Sequence, residues 1–199
     1  MKSTTLNNSQ TEAVAAPRVR VWAAVVGVLG FALLTAAGAR VVIPVPGTPV
    51  PITLQTLFVL LAGATLGPRL GTASMAFYLL LGSAGYHVFA LGNWGLATVF
   101  AATGGYLIGF ILAQPAIGWT TRPGPNHWRR VLAGMLLGNA IIFAAGLTWL
   151  AFWMNVGWSQ ALLLGFWPFL PGLLLKTGLA TALGGLLAPH ARRLLPMYP

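Results

Sequence analysis

Residues 43–71, IPVPGTPVPITLQTLFVLLAGATLGPRLG, decide the architecture of this chain. Pro44, Pro46, Gly47, Pro49 and Pro51 forbid a regular helix over the first part of the stretch. An apolar run at 52–66 follows, short for a membrane crossing, and Gly67-Pro68-Arg69 then makes a tight helix-breaking turn. A breaker, an apolar run and a second breaker carrying a cation describe one crossing that ends at a positively charged turn.

Outward from there the pattern repeats. Apolar spans are expected at 21–39, 52–66, 70–83, 103–119, 131–153 and 171–187. The chain of 199 residues is 57% hydrophobic and 6% charged, far below the quarter typical of soluble domains. All but two of its eleven Lys and Arg fall into four clusters: Lys2, Arg18 and Arg20; Arg69; Arg122, Arg129 and Arg130; Arg192 and Arg193. The connections between them, 44–51, 85–102 and 155–168, contain no Lys, Arg, Asp or Glu. This alternation predicts an all-α integral membrane protein of six transmembrane helices with N- and C-termini cytoplasmic. Trp94, Trp153, Trp158 and Trp167 then lie at the outer interface, with Trp119 and Trp128 at the inner one. A polar, basic cytoplasmic tail is expected over 1–20, a membrane domain over 21–190 and a second cytoplasmic tail over 191–199. The run 21–39 is long for a signal core and is followed by more membrane sequence, so it reads as a first span. Small residues at four-residue spacing, Ala32 and Ala36, Gly105 and Gly109, Gly134 and Gly138, permit close helix contact. For the last two pairs, packing inside the bundle is the favoured reading.

Most chemistry is excluded. The chain has one acid, Glu12, in the polar tail, so two-carboxylate catalysis and carboxylate metal sites are ruled out. There is no cysteine, and no GxxxxGK[ST] phosphate loop. His87, His127 and His190 fall at loop or boundary positions and read as interfacial residues. Neither an enzyme nor a cofactor or metal site is expected. The net charge of +10 is divided among hydrophobic spans and forms no continuous stripe, which speaks for topology signals and the lipid bilayer and against nucleic acid.

A polar lining for a small ligand remains. Thr53, Gln55 and Thr56 open the second span, Asn93 lies within the third loop, and Tyr106 opens the fourth span. Lys176 is five residues inside the sixth span. An intramembrane lysine costs ~2.5–3.5 kcal/mol on insertion scales, and the bundle holds no acid to pair with it. Two readings stand: the amine snorkels to the outer interface, or it donates to a carboxylate or carbonyl of a ligand. Arg40, at the outer end of the first span, reads as interfacial.

Several segments together resemble the BioY family, the biotin-specific substrate-binding (S) components of energy-coupling factor (ECF) transporters. They are the stretch at 43–71 quoted above, YLLLGSAGYHVFA at 78–90, TGGYLIGF at 103–110 and PFLPGLLLK at 168–176. The resemblance implies a six-helix S-component fold, biotin capture from outside, and first and third loops that close over the ligand. It implies that Ala32 and Ala36 dock on a transmembrane coupling subunit (T) driven by two ABC-type ATPases. It further implies uptake across the cytoplasmic membrane by a multi-pass protein. The family motif usually reads Pro-Phe-Leu-Pro-Gly-Asp-x-x-Lys, with its Asp and Lys in the ligand pocket. Here Leu173 takes the Asp position and Lys176 remains. Leu91 stands for an expected Gly, Ala101-Ala102 for Gly-Pro, and His87 where Pro is common. Another small carboxylated vitamin, a biotin precursor such as dethiobiotin, and a non-transporting membrane scaffold stay open beside biotin.

Overall fold

A computed structural model of the chain describes residues 17–122 and 127–195. Lys2 and Glu12 of the expected leading tail, and residues 196–199 of the trailing one, lie outside the described residues. Helix α1, Pro17–Gly38, begins inside the expected 1–20 tail. A proline is tolerated in a first helical turn because its missing N–H has no partner there.

The proline-rich segment is a small hairpin. Strands β1 (Val42–Ile43) and β2 (Ile52–Thr53) pair antiparallel, Val42 opposite Thr53 and Ile43 opposite Ile52. Helix α2, Gln55–Ser83, follows and is helical throughout except at Gly67, whose φ of 78° and ψ of −175° are open to glycine alone. Gln55 hydrogen-bonds Tyr78, and a Cβ on Gly71 would lie 3.3 Å from the Cα of Gly63. Those pairs meet only if the arms 55–66 and 68–83 fold back on each other, so the turn expected at 67–69 is a true reversal.

Beyond α2 come a 3₁₀ turn at Ala90–Gly92, the short α3 (Leu96–Val99), α4 (Gly104–Thr120) and α5 (His127–Met154). Helix α6 (Trp158–Gly165), a 3₁₀ turn at Trp167–Phe169 and α7 (Leu170–Leu194) complete the fold. Helix α7 continues into the expected 191–199 tail. Among the described residues, four stretches are long and apolar enough to cross a membrane: Val21–Gly38, Gln55–Ser83, His127–Met154 and Trp158–Arg192. Helix α4, with 17 residues, is about 26 Å long.

The kinked α2 forms the centre. Leu60, Met75 and Tyr78 from its arms meet Ile117, Met135 and Ile142 in one buried cluster. The periphery is apolar as well, with Trp22, Val26, Leu80, Phe152 and Leu175 outermost, as lipid-facing surface requires. Helices α4 and α5 approach through glycine: a Cβ on Gly109 would lie 3.0 Å from the Cα of Ile142, and one on Gly138 2.6 Å from the Ile117 side chain.

Two expectations are placed differently. Ala32 has no exposed surface, whereas Ala36 is partly exposed and packs at the edge of the same cluster. The reason lies in α2, whose Ser74 Oγ donates to Val28 O at 2.7 Å and whose Met75 approaches Thr35. These contacts draw the small face of α1 inward and turn Trp22, Val26 and Leu33 outward. Arg192, read as a topology signal, is instead buried at 8% exposure. Its guanidinium donates to Ala64 O at 2.7 and 3.1 Å, to Gly118 O at 3.3 Å and to Thr121 Oγ1 at 2.7 Å. The donor that would bond Ala64 O in a continuous helix is the N–H of residue 68, and Pro68 has none. Gly118 O lies in the last turn of α4, where helical donors also run out. One arginine caps both helix ends, with its charge at the negative end of each dipole.

Candidate functional site

At the end opposite Arg192, the hairpin, the loop after α2 and the starts of α4 and α7 enclose two adjoining chambers. The outer one, about 400 Å³, is lined by Pro49 from the hairpin, Phe89, Leu91 and Asn93 from the loop, and Trp153 from α5. That volume lies within the ~300–1,000 Å³ of ordinary small-molecule sites. Leu91 sits at φ 60°, in the left-handed region that bulky residues seldom enter. Gly92 and Gly95 beside it also have positive φ, so the loop turns tightly over the chamber.

The deep chamber is about 60 Å³ and shares Pro51, Thr103 and Tyr106 with the outer one. Leu173, Phe143 and Phe169 give it apolar walls, and Thr53, Thr56, Asn139 and Lys176 give it polar ones. Lys176 is half-buried and its Nζ donates to Thr53 O at 2.8 Å. The amine thus points back into the fold, tying α7 to the end of β2. Thr56 Oγ1 is buried with no hydrogen-bond partner among the described residues. Tyr106 spends its hydroxyl on Gly165 O at 2.9 Å, which joins α4 to α6 and leaves its ring as wall. Phe143 meets that ring edge-on, centroids 5.9 Å apart.

A directional chain of hydrogen bonds holds the roof. Thr53 Oγ1 donates to Gln55 Oε1 at 3.0 Å, Gln55 Nε2 to Tyr78 Oη at 2.5 Å, and Tyr78 Oη to Val88 O at 3.0 Å. Every step is satisfied and largely sealed from solvent, so the chain fixes the start of the third loop to the hairpin. Phe89 is buried edge-on against Tyr78 in a space that a side chain on Gly82 would fill. Arg40 reaches over from the end of α1 to donate to His87 O, a second tie to the same loop.

Of the residues singled out in sequence, Thr53, Tyr106 and Lys176 line the deep chamber and Asn93 the outer one. Gln55 lines neither; it is 4% exposed and works through Tyr78 on the loop. Tyr78 and Asn139 escaped the sequence reading. Asn139 left a signal, a lone amide in the middle of an otherwise apolar span, and polar groups there require partners.

A mostly apolar cleft with a few convergent polar groups, set in a bundle with an apolar exterior, defines a membrane protein that binds a small amphipathic solute. The chain belongs to the BioY family, whose model matches residues 8–193. It is 38% identical over 150 residues to the probable biotin transporter BioY of Pyrococcus horikoshii, covering 75% of this chain and 86% of that one. It is 39% identical over 140 residues to the biotin transporter BioY of Thermotoga maritima, covering 70% and 80% of the two chains. Among solved structures it is similar to the S-component for biotin from an ECF-type ABC transporter. The TM-score is 0.78 at 27% identity, over 87% of this chain and 94% of that one.

Proposed function

We propose that this chain captures biotin and is the substrate-binding subunit of an ECF-type uptake system in the cytoplasmic membrane. It crosses the bilayer six times, the arms of α2 making two of the crossings and α4 another, with both termini on the cytoplasmic side. The observation that carries the reading is the pair of chambers, a roomy apolar one above a small one lined by a lysine and by the neutral polar side chains of Thr53, Thr56 and Asn139. Biotin has matching parts: an apolar bicycle, a ureido group and a carboxylate on an alkyl arm. Thr53, Asn93, Tyr106 and Lys176 contact it, and Gln55 positions the loop above it. With no GxxxxGK[ST] phosphate loop in its sequence, the chain depends on a coupling subunit and two ATPases for energy. The face of α1 that carries Trp22, Val26 and Leu33 is the surface it offers to that subunit, while Ala36 borders it.

The test is an equilibrium titration of the purified protein in lipid nanodiscs with biotin, dethiobiotin and other small carboxylated vitamins. Saturable binding of biotin in preference to the others is expected. Saturation by another vitamin alone would overturn the ligand, and absence of binding by any would leave a scaffold. Uptake of labelled biotin should require co-expression of the coupling subunits.

A further inference from the structure

Asn139 lies in the middle of α5, 6% exposed, on the wall of the deep chamber. Its Nδ2 donates to Met135 O at 3.0 Å and to Thr177 Oγ1 at 2.9 Å. The Thr177 hydroxyl has a single hydrogen, and that hydrogen is given to Leu173 O at 2.7 Å. Thr177 can therefore only accept from Asn139, which fixes the amide with its nitrogen toward α7. Both amide hydrogens are in use, whereas Oδ1 accepts no hydrogen bond from any described residue. The oxygen is open to the chamber rather than sealed in the protein, so an incoming N–H can reach it there.

We propose that Asn139 is a specificity-determining residue, its locked Oδ1 demanding an N–H donor from the end of the ligand that enters the deep chamber. The chamber's other polar groups complete the selection. Lys176 has three donors and gives one to Thr53 O, so it offers the rest to a carbonyl. Thr56 Oγ1 can donate or accept. A cyclic urea, a carbonyl flanked by N–H groups, meets a donor and an acceptor at once. A carboxylate would satisfy Lys176 but set oxygen against oxygen at Asn139. At about 60 Å³ the chamber takes one end of a ligand and no more, so the carboxylate arm is left in the outer chamber. This rests on the assignment of biotin as ligand, and it names the group by which that ligand is chosen.

The experiment titrates the full-length protein and its Asn139→Leu variant in nanodiscs with biotin and with biotin methylated on both urea nitrogens. On the unaltered protein, methylation is expected to weaken binding at least tenfold. Asn139→Leu should lose at least tenfold for biotin and nothing further for the methylated compound, because both changes remove the same hydrogen bond. Thr177→Val, which unlocks the amide but keeps it, should lose a smaller factor; it serves if Asn139→Leu does not fold. Equal binding of biotin and its methylated form by the unaltered protein would overturn the role of Asn139 while leaving biotin as the ligand. Failure of the unaltered protein to bind biotin would overturn both.

Discussion

The lysine of α7 is the residue on which the site turns. Its amine is held at 2.8 Å by a backbone carbonyl of the hairpin, with Leu173 one helical turn before it on the same chamber wall. No acid is available anywhere in the described residues, since Glu12 is the sole one in the sequence. A cation desolvated against one carbonyl gains from a second acceptor, and charged-group hydrogen bonds are worth ~1.5–3 kcal/mol. Lys176→Ala should therefore weaken biotin binding at least tenfold in a calorimetric titration, and an unchanged dissociation constant would remove it from the site. The sequence exposed this residue because an intramembrane charge is costly. It could not expose Tyr78, whose hydroxyl matters only because the fold brings Gln55 and Val88 to it from either side.

Among the elements, α2 is the one whose shape depends most on a single backbone angle. Gly67 at φ 78° and ψ −175° reverses the chain, and Pro68 leaves Ala64 O for Arg192 to cap. Helix α4 crosses so close that a side chain on Gly118 would collide with Pro68. A residue with a Cβ at position 67 meets a conformation that costs ~1–3 kcal/mol. Gly67→Ala should lower the thermal midpoint of the purified protein while keeping its helix content, followed by circular dichroism; an unshifted midpoint would mean that the reversal is not under this constraint. The break itself was legible, since Gly-Pro after an apolar run ends a helix. The antiparallel return was not, because a break alone sets no angle between the arms.

Across the whole molecule, the two ends differ in charge and in use. Arg192 and the neighbouring carbonyls of α2 and α4 close one end, while the uncharged hairpin and third loop roof the chambers at the other. The proposed orientation expects the hairpin end, where Arg40 and Lys176 are the neighbouring cations, to receive the ligand, and the Arg192 end to face the cytoplasm. The chain has no cysteine, so single replacements report sidedness without background. In intact cells, Trp94→Cys should react with a membrane-impermeant maleimide, and Arg69→Cys only after permeabilisation. The reverse pattern would invert the proposed topology.

Composition and charge spacing by themselves determined that this is a helical membrane protein, where its chain breaks, and which polar residues are too expensive to be idle. Those properties are local: hydropathy, a missing N–H and a buried charge have the same cost whatever surrounds them. Tertiary structure alone decided that Ala32 faces inward, that Arg192 is a cap, that Gln55 works through Tyr78 and that Met135 and Thr177 hold the Asn139 amide. Each of these depends on which distant group completes a hydrogen bond or fills a gap, and residues far apart in sequence become neighbours only when the helices meet.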